Sequence, residues 1–221
     1  MGDASLKTEL FEQLARVGKA LAHGKRLELL DLLAQAERPV DALATAAGLN
    51  LTTASAHLQN LKQAGLVSTR RDGTRSFYRI AGPDVLDLLV RAREVAAARL
   101  PDVRSARDAY FGDGPDNALL DRAELARRMS NKTVTLVDVR PELEYAAGHL
   151  PGAVNIPVEE LEARLHEVPV DREVVAYCRG PYCAFAHQAV KLLQARGRRA
   201  ARLTDGVTEW RLAGLPVSTT A

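Results

Sequence analysis

Val174-Val-Ala-Tyr-Cys-Arg-Gly-Pro-Tyr-Cys-Ala-Phe-Ala-His-Gln-Ala-Val190 runs from an apolar stretch suited to a buried strand into Cys178, through five turn-prone or polar residues, and into a helix-like segment starting near Ala184. A strand that delivers a cysteine beneath the first turn of a helix places the thiol among unpaired backbone N–H groups at the positive end of the helix dipole. Both favour the thiolate, which is the reactive form. The plainer reading of Cys178 is an inert buried thiol, a common fate of free cysteines. The strand–loop–helix setting argues for the reactive one. Only two cysteines occur in 221 residues, Cys178 and Cys183, both on this loop. That is no disulfide framework and fits a reducing cytoplasm.

Outward from the loop, strands and helices alternate. Residues 133–139, 153–156, 174–177 and 200–203 read as short buried strands, and 121–129, 158–166, 184–196 and 206–213 as helices. This order predicts an α/β domain with a mostly parallel central sheet.

The N-terminal half has another pattern. Apolar residues at helical spacing predict helices over 6–22, 25–36, 40–47, 52–64 and 84–100. Glycines 24, 48 and 65 interrupt or end them, and Asn50 is placed to cap the fourth. Leu66-Val-Ser-Thr-Arg-Arg and Ser76-Phe-Tyr-Arg-Ile flank Asp72-Gly73, a hairpin signal. Two short helices joined by Ala46-Ala-Gly-Leu-Asn50 and followed by a hairpin fit a mainly-α winged helix-turn-helix. On the second of these helices Ala54, Leu58 and Leu61 form the apolar side. Thr52, Thr53, Ser55, Ala56, Gln59 and Asn60 fall on the opposite side, with His57 and Lys62 nearby, and the short hydroxyls and amides there can reach base edges and phosphates. Arg70, Arg71, Arg75 and Arg79 crowd the hairpin with only Asp72 against them, a density suited to phosphate contacts. A solvated helical bundle with a charged hairpin tip is the plainer alternative. Residues 1–100 carry 14 Lys and Arg against 11 Asp and Glu, a mildly basic half in a chain of net charge +2, which permits nucleic-acid binding without demanding it. No membrane span and no signal peptide are expected.

Arg26-Leu-Glu-Leu-Leu-Asp-Leu-Leu and Leu49-Asn-Leu-Thr-Thr-Ala-Ser-Ala-His-Leu-Gln-Asn-Leu-Lys-Gln-Ala-Gly-Leu-Val67 resemble the ArsR/SmtB family of winged-helix repressors over about residues 6–100. The resemblance implies a homodimer, joined through helices 6–22 and 84–100, that binds double-stranded operator DNA and responds to a ligand. Many metal-sensing members carry a cysteine pair on the third helix. Here Val40-Asp-Ala-Leu-Ala-Thr-Ala-Ala47 has neither Cys nor His, so soft-metal sensing there is not expected.

Leu136-Val-Asp-Val-Arg140, Glu144, Gly148-His-Leu-Pro-Gly-Ala-Val-Asn-Ile-Pro157, the Cys178 loop, and Asp205-Gly, Glu209-Trp and Gly214-Leu-Pro-Val217 resemble the rhodanese domain over about residues 117–219. That resemblance implies that Cys178 takes a sulfane sulfur from thiosulfate, a polysulfide or another persulfide and becomes a persulfide. The active-site loop is then Arg179, Gly180, Pro181, Tyr182, Cys183 and Ala184. Pro181 has no N–H to give, and Arg179 is expected to set a positive charge near the thiolate. Dual-specificity phosphatases of the same scaffold need Cys-x5-Arg; position 184 is Ala, which excludes that chemistry. Cys183 reads either as a small residue filling the base of the loop or as a resolving thiol for a Cys178 persulfide. Asp138 and Arg140 read as a structural ion pair, His149 as a hydrogen-bonded structural residue and Trp210 as core. His23, His166 and His187 show no metal-ligand spacing, and neither a metal nor a cofactor is expected.

The expected organisation is a DNA-binding and dimerisation domain over 1–103, a linker over 104–117 and a rhodanese domain over 118–221. The expected function is transcriptional regulation in which persulfide on Cys178 modulates operator binding. Two alternatives stay open: a thiosulfate or persulfide sulfurtransferase with an uncoupled DNA-binding domain, and an arsenite or soft-ion sensor through Cys178 and Cys183.

Overall fold

A computed structural model of the chain describes residues 4–112 and 119–220. The chain divides into two compact units, residues 1–89 and 90–221. Positions 113–117 of the expected linker, and the expected domain limits 1, 118 and 221, lie outside the described residues.

The first unit runs α1 (Ala4–Leu21), α2 (Gly24–Gln35), β1 (Arg38–Pro39), α3 (Val40–Ala46), α4 (Leu51–Gln63), β2 (Val67–Asp72) and β3 (Arg75–Ile80), and takes in the start of α5 (Pro83–Arg99). Leu29, Leu30 and Leu33 of α2 pack with Leu43 of α3, Leu58 and Leu61 of α4, Tyr78 of β3 and Leu89 of α5. The apolar side read for α4 is the buried one: Ala54, Leu58 and Leu61 are fully enclosed. Asn50 caps that helix by accepting the Thr53 N–H at 2.8 Å. Gly65 ends it at φ +75°, a left-handed conformation that glycine enters without strain. β2 and β3 pair antiparallel around Gly73-Thr74, and β1 adds to the far side of β3. The sequence gives no sign of β1, because two residues carry no periodicity and Pro39 reads as a helix opener. Proline is tolerated there because an edge strand leaves its N–H position unused.

The second unit contains α6 (Pro101–Phe111), β4 (Leu119–Leu120), α7 (Arg122–Ser130), β5 (Val134–Asp138), α8 (Glu142–Ala147), β6 (Val154–Asn155), β7 (Glu173–Tyr177), α9 (Ala184–Ala195), β8 (Ala200–Leu203) and α10 (Val207–Leu212). Its strands form one sheet in the order β4-β8-β7-β5-β6, every pairing parallel. The two-residue alternation of a strand sorts the core. Val174, Ala176 and Cys178 join Ala186, Ala189, Val190 and Leu193 of α9 on one face. Val175 and Tyr177 join Leu125, Leu203 and Trp210 on the other. Cys178 therefore continues the side of β7 that α9 covers.

Three differences from the sequence reading have physical causes. Residues 104–111 of the expected linker belong to α6, which Pro101 opens at a position where its missing N–H costs nothing. Residues 158–166 are not an α-helix but a run of turns ending in a 3-10 turn over Leu165–Glu167. Val158 N–H is drawn instead to the carbonyl of Val139 at the end of β5, which ties the start of that segment to the sheet. α8 is only six residues long, too short to show a period.

Candidate functional site

The loop after β7 folds back on itself. The Cys183 N–H donates to the Gly180 carbonyl at 3.2 Å. The Cys178 thiol lies 3.5 Å from the Cys183 carbonyl and 3.9 Å from that of Gly180. Cys183 occupies the N-cap of α9 without its side chain capping the helix. Cys178 is only 3% exposed and Cys183 8%, so the pair is shut away from bulk water.

The two sulfurs share the amides of the loop unequally. Burial pushes the Cys178 thiol well up, and the neighbouring Cys183 adds to this, against the backbone N–H groups of Ala186 and Gly180. Cys183 is pulled down, first by the hydrogen bond from Cys178, with the N–H groups of Arg179 and Phe185 also favouring its anion over the opposing cost of burial. Burial thus opposes the helix start that was expected to favour a thiolate on Cys178. Iodoacetamide at neutral pH should therefore label Cys183 ahead of Cys178. Cys178→Ala, which removes the donor, should slow labelling of Cys183, and labelling of Cys178 in the native chain should climb only as pH rises. Peptide mapping after timed alkylation checks all three.

Arg179 is also placed differently from expectation. Its guanidinium grips the carboxylate of Glu144, fully buried on α8, with Nη2 2.7 Å from Oε1 and Nε 2.9 Å from Oε2. It lies 5.0 Å from the centre of the Phe185 ring. Its charge is thus largely spent on Glu144, and what is left helps lower Cys183 rather than Cys178. Gly180 is buried; Pro181, Tyr182 and Ala184 are half-buried around it.

Beneath the loop lies the start of α10. A Cβ on Gly206 would meet the Arg179 carbonyl carbon and oxygen at 2.2 Å and the Gly180 nitrogen at 2.4 Å. A Cβ on Gly180 would lie 3.3 Å from both carboxylate oxygens of Glu209. Glu209 accepts the Gly206 N–H at 2.9 Å, and burial pushes its carboxyl above the ordinary range. On the far side of the loop, Asp138 and Arg140 form a fully buried ion pair, Nη2 to Oδ2 at 2.6 Å. His149 makes its hydrogen bond with the Tyr145 carbonyl at 2.9 Å, and Trp210 is buried with Nε1 donating to the Pro216 carbonyl at 2.9 Å. Glu144, Gly206 and Glu209 complete the setting of the loop. The sequence reading used all three only as motif letters.

In the first unit, Thr52, Ala56, Gln59 and Asn60 lie exposed on α4, with Thr53 and Ser55 half-buried. Gln59 donates to the Tyr78 hydroxyl at 3.0 Å, which fixes α4 against the hairpin. His57 turns toward the α1–α2 junction, its ring centre 4.5 Å from that of His23. Arg70 is held by Glu37, at 2.5 Å, and by Asp72, at 3.2 Å, so Asp72 is not the only acid against the hairpin cations. Arg79 bonds the Ser68 hydroxyl at 3.1 Å. Arg71 and Arg75 are exposed and form no side-chain bond or ion pair among the described residues.

Comparison with known proteins agrees with this geometry. Residues 23–69 match the model of the bacterial regulatory protein, arsR family, and residues 121–213 that of the rhodanese-like domain. The chain is 57% identical over 216 residues to the HTH-type transcriptional regulator Rv0324 of Mycobacterium tuberculosis, covering 98% of this chain and 95% of that one. It is 36% identical over 100 residues to a sulfurtransferase of Allochromatium vinosum, covering 44% of this chain and 92% of that one. Among solved structures, the homodimeric winged helix-turn-helix DNA-binding domain of Mb0332 from Mycobacterium bovis is 58% identical, spans 46% of this chain and 94% of its own, and superposes with a TM-score of 0.43.

Proposed function

The chain belongs to the ArsR family of bacterial transcriptional regulators and carries a rhodanese-like domain, and from that premise we propose that uptake of sulfane sulfur on Cys178 sets its affinity for operator DNA. The observation that carries the proposal is the buried dithiol at the α9 start, within one loop that Glu144, Gly206 and Glu209 hold in place. In the uptake step a sulfur of Cys178 attacks the outer sulfur of thiosulfate; one S–S bond forms, the S–S bond of the donor breaks, and sulfite leaves with the electron pair. The Cys178 proton passes to Cys183 as the attack proceeds. The anionic persulfide then sits among the N–H groups of Gly180 and Ala186.

DNA contact is assigned to Thr52, Thr53, Ser55, Ala56 and Gln59 of α4, with Arg71 and Arg75 of the hairpin on phosphates and Arg70 joining them once freed from Glu37. His57, turned to His23, sits at the margin of that surface. The protein is read as a homodimer. Leu6, Leu10, Phe11 and Leu14 stand 64%, 56%, 59% and 61% exposed along one stripe of α1, an apolar surface that a second copy would cover.

Turnover as a sulfurtransferase is a second reading, favoured by the similarity of the second unit to a protein of that name. A soft-ion site is less well supported, since no third His, Cys, Asp or Glu stands beside the two sulfurs among the described residues.

The test is a fluorescence-anisotropy titration of duplex DNA from upstream of the chain's own coding sequence, with reduced and polysulfide-treated protein. Coupling between sites is typically worth 5- to 150-fold in affinity, so a shift of at least about fivefold is expected, and it should vanish in Cys178→Ser. Superimposable curves for the two forms would defeat the proposal.

A further inference from the structure

We propose that the loop closes on itself after it takes up sulfur: Cys183 attacks the Cys178 persulfide, expels hydrosulfide and leaves a Cys178–Cys183 disulfide. The inference rests on the reading of Cys178 as the sulfur acceptor and states what becomes of the sulfur it accepts.

The geometry points the second thiol at the first. Four residues lie between the cysteines, and the bond from Cys183 N–H to the Gly180 carbonyl turns the loop back and sets the Cys178 sulfur 3.5 Å from the Cys183 carbonyl. Cys183 does not use its sulfur to cap α9. In the sulfur-free loop its thiol is pulled down first by Cys178 and also by the N–H groups of Arg179 and Phe185, and those two N–H groups remain once Cys178 carries sulfur. A second buried cysteine folded back on the same loop is well placed for exchange, its proton going to the departing sulfur.

The step balances without an outside oxidant. The Cys183 sulfur attacks the inner sulfur of the persulfide, the one bonded to the Cys178 side chain. A bond forms between the two cysteine sulfurs, and the bond to the outer sulfur breaks. The outer sulfur keeps the electron pair, takes a proton and leaves as hydrosulfide. It is reduced by two electrons, and the two cysteines are oxidised together by the same two. Attack on the outer sulfur instead only moves the persulfide from one cysteine to the other and reverses freely. The N–H groups of Gly180 and Ala186 that face Cys178 receive the departing charge. Return to the dithiol requires a dithiol reductant, for which dithiothreitol serves in the test. The device thus converts a bound sulfane sulfur into a covalent clamp across the loop.

The experiment uses the full chain, reduced, freed of reductant under nitrogen, treated with limiting inorganic polysulfide and acid-quenched at intervals for intact mass, with released hydrosulfide trapped by a bimane. The native chain should gain one sulfur transiently, then settle two hydrogens below the reduced mass with one equivalent of hydrosulfide, and dithiothreitol should restore it. In Cys183→Ser the one-sulfur adduct should persist at least about tenfold longer, with no hydrosulfide. Cys183→Ala is the second variant should a buried hydroxyl disturb the loop. A native adduct as long-lived as that of the variants overturns the inference and leaves the sulfur-uptake reading standing. Absence of any adduct in all three proteins overturns that reading, and the inference falls with it.

Discussion

Arg140→Met is expected to cost about 3–5 kcal/mol of stability, the usual penalty for stranding one member of a buried ion pair. Asp138 and Arg140 are both 0% exposed. Arg140 reaches the carboxylate through Nε at 2.9 Å and Nη2 at 2.6 Å and gives Nη2 to the Gly148 carbonyl at 2.7 Å, while Asp138 also accepts the Arg140 backbone N–H at 3.0 Å. Asn155 ties the backbone carbonyls of both residues to β6, at 3.0 and 2.9 Å. Methionine matches the stem of arginine but leaves a carboxylate in the core without a counter-charge. The urea midpoint, followed by circular dichroism, should fall by more than about 1 M. The double variant Asp138→Asn/Arg140→Met should recover a substantial part, because the stranded charge, rather than the lost attraction, dominates the single change. A single variant within about 1 kcal/mol of the native chain would contradict this account.

The same pair illustrates what the sequence tells and what it withholds. Periodic burial was legible. The apolar run Val174–Tyr177 marked a buried strand ahead of the thiol, and the spacing of Ala54, Leu58 and Leu61 fixed the inner side of α4, because one repeating geometry governs the residues of a helix. Asn50 as a cap was legible because capping is a contact across three residues. Pairings across the fold were not. Nothing near Arg179 in the chain announces Glu144, 35 residues earlier, as the carboxylate that takes up its charge. Nothing near Arg70 announces Glu37, and His57 lies on the polar arc of α4 yet is drawn to His23. The acidity of the dithiol was missed for a related reason. A strand–loop–helix pattern reveals the amides, but the burial that opposes them depends on how tightly the whole loop closes. Local rules thus located the candidate site, and tertiary packing set the burial that opposes its thiolate.

Gly206→Ala is expected to slow sulfur loading of Cys178 by at least about tenfold, the equivalent of about 1.4 kcal/mol in the barrier. The backbone at Gly206 is extended, with φ −127° and ψ −169°, so alanine suits its dihedral angles and the constraint is one of space. The added methyl would stand 2.2 Å from the Arg179 carbonyl and 2.4 Å from the Gly180 nitrogen, and because these are main-chain atoms no side-chain rotation relieves the contact. One partner must move. The α10 start is the firmer: Glu209 holds the Gly206 N–H at 2.9 Å, the Gly206 carbonyl accepts the Trp210 N–H at 3.0 Å, and the Trp210 ring is locked in the core. The loop therefore yields, carrying with it the amides of Arg179 and Gly180 that face Cys183 and Cys178. Overpacking of this size costs roughly 1–3 kcal/mol, too little by itself to unfold a domain of this size, so loading should fall while the far-ultraviolet circular dichroism stays native. Gly180→Ala meets only the end of the Glu209 side chain, at 3.3 Å, and should slow loading less. Timed intact-mass measurement of thiosulfate-treated protein compares the three, and a Gly206→Ala chain that loads at the native rate would mean that the α10 start does not set the position of the loop.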